Sequence, residues 1–371
     1  MTAARRVQQA MLVIVAVGLV SVVVAVVRFG AAGLFTLALA FPVFDERWIA
    51  PWYAMPAIEE VGVSVGATTL HADLYRPRIP RAAVLLVHGL SPAGNRHPQL
   101  VRLARVFTRH GFMVMVPRFE GLAMFRLSGR EIDEIKAALA ELRHRSAVVA
   151  VAGFSFGAGP AVVAAAETEG LAWVGSFGGY ADLRNVIVYL TTGVHTFQHH
   201  RYAGRVEEYN RWKLAALLSP FVQDEHDRER LGRIASRRLA NPSSDVGTLV
   251  AELGPNGRVI MDLVESRQED LTRELVDRLS PVAHAELARL SPITVVARLR
   301  ARLLLAHGAD DDSIPFTESL RLAEAAGSRA RVVVLETFHH TGPAHVWTSL
   351  YHRAVDTAAL LRLVDEMLRP S

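Results

Sequence analysis

AVVAVAGFSFGAGPAVVAAAETEG, residues Ala147 to Gly170, joins an apolar strand to a short helix through a glycine-flanked serine. AVVAVA is a short continuous apolar run, as a strand buried on both faces presents. AGPAVVAAA has the composition of a buried helix, and Gly170 stops it. Between them lies Gly153-Phe154-Ser155-Phe156-Gly157, a G-x-S-x-G pentapeptide placed where strand turns into helix. A sharp, strained turn there lifts a serine hydroxyl above the strand ends, and the flanking glycines let the backbone pass closely. Ser155 is therefore the candidate nucleophile. The plainer reading is a Gly-rich turn that serves packing alone.

Outward from this stretch the chain keeps alternating. VGVSVGATTLHADLYRP (Val61 to Pro77) alternates like a hairpin with its turn near Gly66. AAVLLVHGL (Ala82 to Leu90) and FMVMVP (Phe112 to Pro117) read as buried strands, separated by a helix over His97 to Gly111. Glu131 to Arg145 is an amphipathic helix with acid early and base late, which suits the helix dipole. LAWVGSFGGY (Leu171 to Tyr180), ARLLLAHG (Ala301 to Gly308) and RVVVLE (Arg331 to Glu336) are further strands. Helices are expected over Thr317 to Ala326 and about Val346 to Leu368. Such alternation predicts a mostly parallel sheet covered by helices on both faces. The interval from Asp182 to Leu290 does not alternate. It is rich in Arg, Glu and Leu at helical spacing and far longer than an ordinary loop, so it is expected to be a helical insertion with its own packing.

The chain has 371 residues, 51% hydrophobic and 21% charged, which excludes a disordered or fibrous protein. It has no cysteine, which excludes disulfides, Cys-ligated zinc, iron–sulfur clusters and a thiol nucleophile. A net charge of +4 without a basic, aromatic-interleaved run gives no support for nucleic-acid binding. Much of the apolar excess is N-terminal. Ala10 to Val27 carries no charge and would form a helix about 27 Å long, close to the hydrocarbon thickness. Arg5 and Arg6 precede it, with no comparable basic cluster just after it. That predicts a single-pass transmembrane helix with its N-terminus inside and the catalytic domain on the extracytoplasmic side. A cleaved signal peptide with a secreted product, or a buried helix, are the alternatives. Phe29 to Phe44 is expected to lie against the membrane or the domain. The expected divisions are 1–50 anchor and apolar linker, 51–181 first part of the core, 182–290 insertion and 291–371 second part of the core.

A serine hydroxyl needs a base, and the base needs an orienting group. Asp310, Asp311 and Asp312 follow the strand ARLLLAHG, and His339 and His340 follow RVVVLE, so a carboxylate and an imidazole leave adjacent strand ends on one rim. With VLLVHGL, GFSFGAG, SPITVVARLRARLLLAHGADDDSIP and VVVLETFHH, the chain from about Val61 to Leu368 resembles the α/β-hydrolase superfamily, the insertion standing where its lid or cap lies. The resemblance implies an α/β-hydrolase fold and picks Asp311 as the acid and His340 as the base. His339 is the alternate base, ahead of His345, and Asp182 the alternate acid, as in some members. Asp310 and Asp312 would then serve a turn and a helix-start cap. The resemblance also assigns the oxyanion-binding N–H groups to Leu90 and Phe156, although the Gly-rich run of many lipases is absent after His88-Gly89.

The expected function is a membrane-anchored serine hydrolase that cleaves an ester-type acyl bond of a small-molecule or lipid-like substrate. An acyltransferase, a thioesterase or amidase, and a non-catalytic binding protein of the same fold are the alternatives. No cofactor and no metal are expected. His195, His199 and His200 are taken as a partly exposed helix face, and His88 as a packing residue.

Overall fold

A computed structural model describes residues 28–336, 338–339, 342–343 and 350–369, together with Met11 and Val24. The alternating stretch near Val61 is a hairpin of β1 (Ala57–Val65) and β2 (Thr68–Arg76), turned at Gly66 with φ 56°. The apolar runs become β3 (Ala82–Val87), β4 (Phe112–Pro117), β5 (Val149–Phe154) and β6 (Trp173–Phe177). Then come β7 (Val194–Phe197), β8 (His200–Ala203), β9 (Arg302–Gly308) and β10 (Ala330–Leu335). Eight of these form one sheet in the order β1-β2-β4-β3-β5-β6-β9-β10. β1 and β2 pair antiparallel, as do β2 and β4; every later pair is parallel. Every residue of β3 and β4 is buried, which is why they read as unbroken apolar runs.

Strand periodicity divides the core in two. Leu85, Val87 and Val151 face helices Arg130–Arg145 and Ala158–Ala166, while Val84, Leu86 and Ala152 face the other way. The second face is covered by helix Pro98–Arg109, helix Leu350–Leu368 and helical residues Arg28–Ala40. Between β6 and β9 the insertion builds helices including Leu183–Thr192, Glu208–Leu218 and Glu225–Ala240.

One expectation there is overturned. The HTFQHH run is not a helix face: β7 and β8 make a hairpin around Gln198, at φ 53°. Gly193, at φ 72°, ends the preceding helix, and His195 then stacks on Tyr202 across the hairpin, ring centroids 5.1 Å apart. Cross-strand aromatic packing outweighs the helical spacing of the histidines.

The N-terminal apolar segment lies against the domain. Ala32, Phe35 and Ala38, one helical stripe, are buried, and Phe35 meets Phe107 edge-on at 4.8 Å. Arg109 forms a bidentate pair with Asp45 at 2.6 and 2.9 Å, both side chains nearly buried. Losing one partner of such a pair costs about 3–5 kcal/mol. Beyond Ala40 the chain bends by 111° into Pro42–Trp52. Most of the expected membrane helix, residues 10–27, lies outside the described residues. Among the described residues no single helix is long and apolar enough to cross a membrane; Arg28–Ala40 and Pro42–Trp52 reach that length only as a bent pair.

Candidate active site

Ser155 stands at the carboxyl end of β5 with φ 51°, one of three non-glycine residues with positive φ among the described residues. A side chain in this left-handed conformation costs about 1–2 kcal/mol, and the surrounding packing enforces it. A Cβ on Gly153 would lie 2.4 Å from Ala158 Cα, and one on Gly157 only 2.1 Å from the His88 carbonyl oxygen. The turn after β3 is pressed onto the elbow as well, because a Cβ on Gly89 would sit 2.8 Å from Ser155 Cβ. Leu90, Phe156 and Ser155 line one cavity of about 620 Å³, so the two expected oxyanion donors share the space of the serine.

His88 fixes that turn. Its Nε2 accepts the Phe119 N–H at 3.1 Å, so the proton sits on Nδ1 and is donated to the Gly89 carbonyl at 2.7 Å. Burial holds its pKa down to about 4. His195, mainly through burial, is also held down to about 4. The folded protein thus keeps both rings neutral while the unfolded chain protonates them near 6.5. Their contribution to stability is present above pH 6.5 and falls as pH drops toward 4, by on the order of 3 kcal/mol for His88. Urea unfolding between pH 7 and 4 is expected to show this loss, and His88→Gln to make it shallower by the His88 share. An unchanged slope in the variant would refute the assignment.

Asp311 follows β9 and is buried in the same cavity lining. Its Oδ1 accepts the N–H groups of Ser313 and Ile314, both at 2.9 Å, and its Oδ2 lies 3.5 Å from His307 Nε2. Tyr189, from the first helix of the insertion, donates its hydroxyl to the Asp311 carbonyl at 2.5 Å. Burial and the neighbouring aspartates raise the Tyr189 pKa, which keeps the phenol a donor. His307 reaches Ile314 O at 2.8 Å and Ser319 Oγ at 2.7 Å. The tautomer with the proton on Nε2 satisfies both contacts.

The other candidates are placed differently. Asp182 caps helix Leu183–Thr192, accepting Arg184 N–H at 2.9 Å and pairing with its guanidinium at 2.6 Å. Its own N–H and that of Ala181 go to the buried Glu318 carboxylate, whose pKa burial raises. Asp182 is not among the described residues lining the cavity. Asp310 is an exposed turn residue, but Asp312 caps no helix: the next one starts at Thr317, and Asp312 accepts the Ser313 hydroxyl instead. His339 belongs to a short strand, Phe338–His339, paired with Gly342–Pro343. His340 and His345 lie outside the described residues. Among those residues no group of three His, Asp or Glu is placed to hold a metal ion.

Two contributors were missed from sequence. Lys213, from helix Glu208–Leu218, lines the cavity, and burial pushes its ammonium below the ordinary value. Phe35, Leu39 and Pro42 of the N-terminal segment line it as well. Periodicity cannot reveal either, since a lysine on a helix and an apolar run read the same whatever they face.

No protein-family model matches the sequence, and no curated protein proves similar to it. Solved structures do. The 2,6-dihydroxy-pseudo-oxynicotine hydrolase is 15% identical with a TM-score of 0.50, covering 86% of this chain and 70% of its own. The alpha/beta hydrolase GrgF from Penicillium sp. sh18 is 14% identical with a TM-score of 0.49, covering 82% and 98%. The acylaminoacyl peptidase of Pyrococcus horikoshii is 12% identical with a TM-score of 0.45, covering 85% of this chain. This chain spans 41% of that peptidase's length. With the strand order, the left-handed serine between β5 and its helix, and the likeness to the oxynicotine hydrolase structure, the protein has the fold of the α/β-hydrolase superfamily.

Proposed function

We propose that this protein is a serine hydrolase that cleaves a carboxylic ester through an acyl-enzyme. The observation that carries the reading is Ser155, held at positive φ in one cavity with the buried carboxylate of Asp311. Ser155 Oγ attacks the acyl carbon while His340 takes its proton. The Leu90 and Phe156 N–H groups receive the charge that builds on the carbonyl oxygen. As the tetrahedral intermediate collapses, the C–O bond to the alcohol breaks and His340 returns the proton to the leaving alkoxide. Water, deprotonated by the same imidazole, then cleaves the acyl-enzyme, and the proton goes back to Ser155. Asp311 orients the imidazole and stabilises its protonated form. Residues 10–27 would hold the enzyme at a membrane with its catalytic domain outside.

Treatment of the full-length protein with a fluorophosphonate is expected to leave an adduct on Ser155, located by mass spectrometry, and to stop turnover of a chromogenic ester. Absence of both labelling and turnover, where a control esterase shows both, would sink the reading.

A further inference from the structure

The cavity at Ser155 owes little to the insertion, which contributes Lys213 to its lining. Its apolar wall comes from Phe35 and Leu39 of the N-terminal segment, Leu103 of helix Pro98–Arg109, and Leu363 and Met367 of the C-terminal helix. The lining also reaches Pro42 and Glu46, past the bend. Around those two residues the segment exposes Phe41, Val43, Phe44 and Trp48, and further on Trp52 at 84%. Exposed aromatic and aliphatic side chains on a segment that continues an uncharged N-terminal run suit a lipid–water interface. A polar, water-borne ester would need neither the apolar wall nor the exposed apolar side chains of the segment that supplies it.

We infer that the substrate is an amphiphilic carboxylic ester drawn from a lipid surface, its unbranched acyl chain lying in the cavity between the N-terminal segment and the C-terminal helix. The inference rests on Ser155 as nucleophile. It makes residues 35–46 part of the acyl site, a wall supplied by the N-terminal segment and clamped by the Arg109–Asp45 pair. Each methylene that enters such a wall strengthens transition-state binding, by roughly two- to fourfold in kcat/KM.

The test uses full-length protein and p-nitrophenyl esters from acetate to dodecanoate. kcat/KM is expected to climb from acetate to octanoate or beyond by at least about a hundredfold. Leu39→Trp and Leu103→Trp, both at half-buried lining positions, are each expected to lower the dodecanoate-to-butanoate ratio of kcat/KM about tenfold or more. In case a variant fails to fold, the unmodified protein is also labelled with alkyl fluorophosphonates, and the dodecyl probe should react faster than the ethyl one. A flat or acetate-favouring profile with Ser155 still labelled overturns the acyl site and leaves the hydrolase intact. No labelling by either probe and no turnover overturns both.

Discussion

Ser155→Ala is expected to lower kcat/KM for ester hydrolysis by about 10⁴-fold or more, because the proposed acyl-enzyme forms on the hydroxyl it removes. Ser155→Gly should be equally inactive but more stable than Ser155→Ala by about 1 kcal/mol, since glycine adopts the φ of 51° without the Cβ clash. The pair of variants separates two roles of the position. Activity reports the hydroxyl, which both lose; the urea midpoint reports backbone strain, which only glycine relieves. A residue kept for packing would show the stability difference with no loss of turnover. Stored strain at a position whose side chain performs the chemistry is the pattern expected where stability has been traded for function. Equal urea midpoints for the two variants would mean that the elbow does not enforce the left-handed backbone.

The sheet and the elbow were legible because their cause is local. Strands buried on both faces must be apolar throughout, as β3 and β4 are, and a G-x-S-x-G between strand and helix leaves few other geometries. The hairpin β7–β8 was not legible, because its pairing is held by His195, Tyr202 and Phe316, and Phe316 is distant in sequence. The supports of Asp311 were hidden for the same reason. Tyr189 comes from the insertion and His307 from β9, the strand before Asp311, and neither carries a motif. For the N-terminal segment the difficulty is physical. A run such as Phe29 to Phe44 loses contact with water equally well in lipid or against a protein core, so hydropathy cannot tell the two apart. The structure puts Phe35 in the core and Trp52 outside it.

Asp311→Asn is expected to reduce kcat/KM by about 10²–10⁴-fold with little loss of stability. The amide oxygen of asparagine can still accept the Ser313 and Ile314 N–H groups that organise the loop after β9. What it cannot do is carry the negative charge that stabilises a protonated imidazole in the transition state. Asp311→Ala loses both functions, leaves two buried N–H groups without their acceptor, and should unfold at lower urea as well. Asp182→Asn provides the contrast. That carboxylate caps helix Leu183–Thr192 and pairs with Arg184, so its removal should cost about 1 kcal/mol of stability or less and leave kcat/KM within a few-fold. If Asp182→Asn were instead the variant that lost activity, the acid would follow β6 rather than β9. The carboxylate that orients the base would then have to come from the start of the insertion, and the cluster of Tyr189, His307 and Asp311 would be structural.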